Sequence, residues 1–108
     1  MSNLKLSVII PAFNEEKTII ETLKRIQSTK KNKIDYEIIV INDGSKDNTL
    51  NLLKSNSELY DKLIEYENNL GKGFAVKKGI EASSGEYIIF QDADLEYDPV
   101  DFDKFIDL

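Results

Sequence analysis

Asp92, Asp94 and Glu96 stand at alternate positions directly after the apolar run Tyr87-Ile88-Ile89-Phe90. Carboxylates crowded at the open end of a buried strand repel one another and raise their own pKa values unless a positive charge sits among them. Hard divalent ions, Mg²⁺ or Mn²⁺, suit such a set, because they take oxygen ligands and complete their shell with water and substrate phosphates. A plainer reading stands beside this one. Asp98-Pro99 has the form of an N-cap followed by proline at the first helical position, and acids favour the turn that enters a helix. The elements that precede the three acids shift the balance toward the cation.

The chain has 108 residues, 41% of them hydrophobic, which is enough for one domain and one core but small for an enzyme that binds two substrates. Its 14 basic and 20 acidic residues leave a net charge of -6, which argues against nucleic acid as a partner. A phosphate-bearing ligand therefore needs a metal. With no cysteine and no histidine there is no thiolate, no imidazole base and no zinc site of the usual kind. Carboxylates, lysines or a metal are left to carry any catalysis. No apolar run approaches the ~20 residues of a membrane span, and the Met-Ser-Asn-Leu-Lys start lacks the apolar core of a signal peptide. These features lead to the expectation of a soluble, cytoplasmic chain.

Residues 6–10 form a β-branched apolar run closed by Pro11, the pattern of a strand buried on both faces. Asn14 offers an N-cap with Glu15 and Glu16 in the first turn, and Ile19, Ile20, Leu23 and Ile26 recur at helical spacing. A lysine-rich connection over 28–33 leads to a second strand over 36–41. Residues 42–49 are a loop in which Ser45 or Asp47 caps a helix carrying Leu50, Leu52 and Leu53. A third strand over 63–66 is followed by a glycine loop over 68–73, and by a helix with Phe74, Ala75, Val76, Gly79 and Ile80 that ends near Ser84-Gly85. Residues 86–90 make the fourth strand. The final stretch, 102–108, begins an amphipathic helix without a C-cap, so the chain is expected to be the front part of a longer polypeptide.

Strand-helix alternation throughout predicts an α/β fold, a three-layer α/β/α sandwich around a mainly parallel sheet with right-handed crossovers. In such sheets ligands lie outside the carboxyl ends of the strands, where strand order reverses. Residues 11–16, 42–47, 68–73 and 92–96 all fall there, so one crevice accounts for all four loops.

Four motifs in order resemble family 2 glycosyltransferases: Val8-Ile9-Ile10-Pro11-Ala12-Phe13-Asn14-Glu15-Glu16, Ile41-Asn42-Asp43-Gly44-Ser45-Lys46-Asp47-Asn48-Thr49, Asn69-Leu70-Gly71-Lys72-Gly73 and Gln91-Asp92-Ala93-Asp94-Leu95-Glu96. The chain is most similar to the polyprenyl-phosphate sugar transferases, the dolichyl-phosphate mannosyltransferase-like kind. The resemblance runs from about Leu6 to Pro99 and implies the GT-A fold, with strand order 3-2-1-4 and a nucleotide-diphosphate sugar donor.

The same resemblance implies site residues. Pro11, Phe13 and Glu15 match the donor-nucleotide loop, and Asp43 the acid expected to face the base or ribose. Asp92 and Asp94 match the D-x-D pair, implied as catalytic and metal-holding, with Asp92 also at the donor; Glu96 stands where relatives often have glutamine and becomes a third metal ligand. Many relatives carry two aspartates where this chain has Asn42-Asp43, so an amide here does the work of the first acid. Lys72 either approaches the donor phosphates or belongs to a helix entry that needs its glycines for packing. Asp43 and Asp94 lie at strand ends, where substitution is expected to cost no more stability than at the surface.

The implied reaction is inverting transfer from a UDP- or GDP-sugar, with Mg²⁺ or Mn²⁺, to a polyprenyl phosphate or a glycan, at the inner face of the membrane for the full-length protein. The acceptor region of relatives lies further along, so this chain is expected to be the nucleotide-sugar-binding part. A homo-oligomer stays open. Two other functions compete: a nucleotide-binding module without catalysis, and a nucleotidyltransferase. The latter is disfavoured because neither G-x-G-x-x-G nor G-x-x-x-x-G-K-[ST] follows the first strand.

Overall fold

The computed structural model describes residues 4–93. The elements run β1 (Leu4–Ala12), α1 (Ile19–Ser28), β2 (Ile34–Asp43), α2 (Thr49–Ser55), a 3₁₀ turn (Ser57–Leu59), β3 (Lys62–Tyr66), α3 (Lys72–Ala82) and β4 (Tyr87–Phe90). The four strands form one sheet in the order β3-β2-β1-β4, and every pair is parallel. The expected fold class and strand order are therefore present.

Right-handed crossovers fix which face each helix covers. Two successive moves in one direction, β1 to β2 to β3, put α1 and α2 on the same face; the return past β1 to β4 puts α3 on the other. Ile19, Leu23 and Ile26 of α1 and Leu53 of α2 pack with Val8, Ile10, Ile38 and Val40. On the opposite face Ile9, Ile39 and Ile41 meet Ala75 of α3. Both faces of β1 and β2 are covered, which is why their sequences are nearly continuous apolar runs. Each fully buried isoleucine contributes roughly 1.5–3 kcal/mol of hydrophobic stabilisation. Gly79 lets α3 lie close on the sheet: a Cβ there would stand 2.5 Å from Ile9 Cγ2 and 2.9 Å from Ile41 Cδ1.

Several boundaries differ from those read in the sequence. Pro11 does not end β1, which continues to Ala12 in register with Asn42. Lys5 and Ile9 accept backbone hydrogen bonds from Glu86 and Gln91, so the odd-numbered residues of β1 turn their peptide groups toward β4. Pairing with β4 stops at Ile9 opposite Phe90, so the N–H that Pro11 lacks falls beyond the ladder. β2 reaches Asp43 because β3 pairs with it as far as Tyr66. Asn14 is not the cap of α1. Its φ of 53° is left-handed, and a turn from Glu15, with Thr18 N–H at 3.1 Å and Ile19 N–H at 2.9 Å from the Glu15 carbonyl, delays the helix to Ile19. Neither of the two expected caps, Ser45 or Asp47, is the N-cap of α2: that position falls to Asn48, whose side chain makes no cap hydrogen bond, while Asp47, one residue earlier, accepts the Thr49 N–H on Oδ1 at 2.9 Å.

Near the start of β4, Glu37 is buried and bound from several sides. Its Oε1 accepts Ser7 Oγ at 2.9 Å and Ser84 N–H at 2.8 Å, its Oε2 accepts Ser84 Oγ at 2.9 Å, and Lys62 Nζ lies 3.2 Å away. Burial pushes this carboxyl up, but those hydrogen bonds outweigh it and hold the pKa at about 2. Among the described residues no helix is long and apolar enough to cross a membrane. The helix expected over 102–108 and the Asp98-Pro99 cap lie outside the described residues.

Candidate active site

The carboxyl ends of all four strands open on one cleft of about 350 Å³, lined by Pro11, Ala12, Phe13, Glu15, Asp43, Asn69, Gly71, Lys72, Asp92 and Ala93. Six residues singled out in the sequence, Pro11, Phe13, Glu15, Asp43, Lys72 and Asp92, are thus brought together from four separate loops. Asp94 and Glu96 lie outside the described residues.

Asp43 ends β2 at 3% exposure and acts first on the loop beside it. Its Oδ1 accepts Leu70 N–H at 2.9 Å, and its Oδ2 accepts Gly71 N–H at 3.1 Å and Asn69 Nδ2 at 2.9 Å. A carboxylate offers about four acceptor positions, and these donors take three of them. Its environment is that of a buried anchor, and the expectation that it could be substituted at surface cost is corrected here. Tyr66, opposite Asp43 in the β2–β3 register, has a buried hydroxyl with no well-formed hydrogen bond among the described residues. Burial, and then the Asp43 charge, push that phenol well above its ordinary pKa.

The loops after β2 and β3 also touch through backbone. Gly44 has φ +66°, and a Cβ there would lie 2.3 Å from Asn68 C and from Asn69 N. Only glycine satisfies both the left-handed backbone and the contact. Gly71, at φ 99°, then turns the chain into α3 and puts Lys72 at its first position.

Lys72 Nζ stands 2.9 Å from Asp92 Oδ1, with the lysine side chain 70% and the aspartate side chain 28% exposed. Lys72 lines the cleft and is at the same time the first residue of α3. Asp92 is held by its neighbours: Gln91 N–H donates to Ile9 O at 3.0 Å, and the Ala93 carbonyl accepts Thr18 Oγ1 at 2.8 Å and Thr22 Oγ1 at 3.1 Å. A cation already sits against Asp92, so the acid fits a positive partner. Among the described residues no group of three potential metal ligands is assembled; a metal held here would draw on Asp92 and, from outside the described residues, on Asp94 and Glu96.

The loops after β1 and β2 are stitched together by side chains accepting backbone N–H groups in both directions. Ser45 Oγ accepts Asn14 N–H at 3.0 Å, while Asn14 Oδ1 accepts Lys46 N–H at 2.8 Å. Asp47 Oδ2 accepts Glu16 N–H at 3.2 Å, while Glu16 Oε2 accepts Asn48 N–H at 3.2 Å. Thr49 Oγ1 accepts Glu15 N–H at 2.9 Å and donates to Asp47 Oδ1 at 2.6 Å. Burial pushes the Asp47 carboxyl up, but the hydrogen bonds from Thr49 and Glu16 prevail and hold it below its ordinary value.

Sequence reasoning gave no role to Asn69, Thr18 or Thr22. For Asn69 a signal existed, since Asn within a glycine loop characteristically bonds nearby backbone; its Nδ2 here meets both the carbonyl and the carboxylate of Asp43. Thr18 and Thr22 sit one helical turn apart in the sequence, and nothing in one dimension tells that Ala93 comes to lie over them.

Residues 7–108 match the sequence profile of glycosyl transferase family 2. A dolichyl-phosphate beta-glucosyltransferase of Dictyostelium discoideum is 39% identical over 118 residues, covering 100% of this chain and 36% of that protein. TarS from S. aureus, solved in complex with UDP-GlcNAc, superposes with a TM-score of 0.75 at 30% identity over 84% of this chain and 27% of its own. A mannosyltransferase from Pyrobaculum calidifontis, solved with GDP-Man and Mn²⁺, gives 0.76 at 25% identity over 94% of this chain and 30% of its own. The chain spans about a third of the length of the curated relatives it matches.

Proposed function

The chain belongs to glycosyl transferase family 2, and from that premise we propose that its cleft binds the nucleotide-diphosphate sugar donor of an inverting, metal-dependent glycosyltransferase. One observation carries the reading: residues from four loops, chosen by motif and chemistry alone, converge on a single cleft at the carboxyl ends of a parallel sheet. The neighbours solved with UDP-GlcNAc and with GDP-Man and Mn²⁺ support the donor class.

In this reading Phe13 and Glu15 flank the nucleoside beside Asp43, and Lys72 approaches the diphosphate. Asp92, with Asp94 and Glu96, would hold Mg²⁺ or Mn²⁺. Bound there, such an ion would neutralise the negative charge that grows on the leaving diphosphate. Lys72 adds a positive charge at the same place. An acceptor oxygen attacks the anomeric carbon from the face opposite the diphosphate, which departs with the electron pair of the broken bond. A phosphate acceptor is already anionic and needs no general base; the name of the Dictyostelium relative supports a polyprenyl phosphate in that role. The chain supplies the donor-binding part of the domain, and the full-length protein works at the inner face of the membrane.

The test is a two-by-two titration calorimetry of uridine and guanosine against their diphosphates, with Mn²⁺ and with EDTA. Diphosphate binding is expected to require Mn²⁺ and nucleoside binding to be indifferent to it. Equal diphosphate affinity in EDTA refutes the metal role, and no binding of any of these compounds refutes the donor site.

A further inference from the structure

The donor reading uses Phe13 and Glu15 but leaves unexplained what holds their loop in place. That loop follows β1, contains a left-handed Asn14 and does not become helix until Ile19. Its own backbone pairing is the turn at the Glu15 carbonyl, which accepts Thr18 N–H and Ile19 N–H. Its N–H groups at Asn14, Glu15 and Glu16 go instead to Ser45, Thr49 and Asp47, residues about thirty positions away in sequence.

We infer that Asp47 and Thr49 are positioning residues for the donor site, setting the backbone of Phe13 to Glu16 through the Glu15 and Glu16 N–H groups. The inference rests on the donor reading of the cleft. Thr49 is fully buried at the first position of α2, a place where its hydroxyl has no helical partner to serve. That hydroxyl is a relay: it donates to Asp47 Oδ1 at 2.6 Å, which leaves its lone pair aimed at Glu15 N–H at 2.9 Å. Asp47 accepts from Glu16 N–H, Thr49 N–H and the Thr49 hydroxyl together, so one carboxylate ties the start of α2 to the nucleotide loop. Neither Asp47 nor Thr49 lines the cleft; Glu15 and Phe13 do. The pair acts on a ligand only through them.

Thr49→Val keeps the branched shape and removes the relay; Thr49→Ser restores the hydroxyl. Asp47→Asn is the second lesion, and Ser84→Ala, at the Glu37 cluster, is a control that loses a part-buried hydrogen bond far from the cleft. UDP and GDP affinities are measured with Mn²⁺ for each variant, together with melting temperatures and hydrogen exchange at the Glu15 amide. Thr49→Val and Asp47→Asn are expected to weaken binding by about fivefold or more, the effect of about one hydrogen bond, with faster exchange at Glu15. Thr49→Ser is expected to bind as the wild type does, and Ser84→Ala to bind normally despite a lower melting temperature. Normal affinity in Thr49→Val and Asp47→Asn, with the wild type binding, overturns this inference and leaves the donor reading intact. A wild type that binds neither nucleotide overturns the donor reading and this inference with it. Affinity losses that follow melting temperature across all variants, the control included, reduce the pair to a general stability role and overturn the inference.

Discussion

Replacing Asp43 with asparagine keeps the side chain's size and removes its charge, and the surroundings of the carboxylate determine the cost. Three donors converge on it: Leu70 N–H at 2.9 Å, Gly71 N–H at 3.1 Å and Asn69 Nδ2 at 2.9 Å. An asparagine presents one oxygen and one NH₂ group, so whichever way it turns, at least one donor faces another donor. Losing a hydrogen bond to a charged acceptor costs about 1.5–3 kcal/mol, and stranding a buried N–H adds about 1–3 kcal/mol. We take about 3 kcal/mol as the expected total, since the loop can relax in part. For a domain of this size each kcal/mol moves the melting temperature by about 4–8 °C, so a fall of at least about 10 °C is expected. Urea denaturation of wild type and Asp43→Asn measures the loss directly, and amide spectra report whether residues 69–72 move. Asp92→Asn is the contrast, because its partner Lys72 is largely exposed and such pairs contribute about 1 kcal/mol or less. A cost below about 0.5 kcal/mol for Asp43→Asn, the ordinary surface value, would refute the anchoring role.

Glu37 gives a pH dependence. Its pKa falls from 4.5 to about 2 on folding, so its contribution of about 3 kcal/mol is full above pH 4.5 and is lost as pH falls toward 2; Glu37→Gln should lower stability at pH 7 and flatten the acid limb of the stability curve. Lys72→Met should leave stability within about 1 kcal/mol, keep or raise affinity for Mn²⁺ alone by freeing Asp92, and weaken diphosphate binding; weaker binding of Mn²⁺ alone would show that the lysine does not compete for that carboxylate. Gly44→Ala adds left-handed strain of about 1–2 kcal/mol and a collision with Asn68 and Asn69, so amide shifts over 68–71 and loss of nucleotide affinity are expected, whereas unchanged spectra would contradict the contact.

The layers of this fold were legible because both faces of β1 and β2 are covered, which writes continuous apolar runs such as Val8-Ile9-Ile10 and Ile38-Ile39-Val40-Ile41 into the sequence. The ends of those strands were not. Asn42 and Asp43 are polar and read as loop, yet β1 and β3 pair with them, and pairing is a property of the neighbour. Pro11 reads as a stop, but its missing donor points where β4 has already ended. For the cleft, motif residues such as Glu15 and Asp92 could be gathered into one crevice from topology alone, since parallel α/β sheets bring loops together at their carboxyl ends. What each residue holds was hidden. Asp47 looks like a helix-cap residue, Thr49 carries no signal of its own, and Asp43 looks like a ligand contact, because the backbone groups they bind lie about thirty residues away and carry no side-chain signature.

The most direct test of the donor cleft uses Mn²⁺ as a paramagnetic label. Amide spectra are recorded with UDP or GDP and sub-stoichiometric Mn²⁺, and line broadening is mapped onto the chain. The amides of Gly71, Lys72, Asp92 and Ala93 are predicted to broaden first, and at lower Mn²⁺ when a diphosphate is present, while Ser84 and Gly85 beside Glu37 stay sharp. Broadening centred on the Glu37 end of the sheet, or equal broadening throughout, would contradict a metal-assisted donor site at the carboxyl ends of these strands.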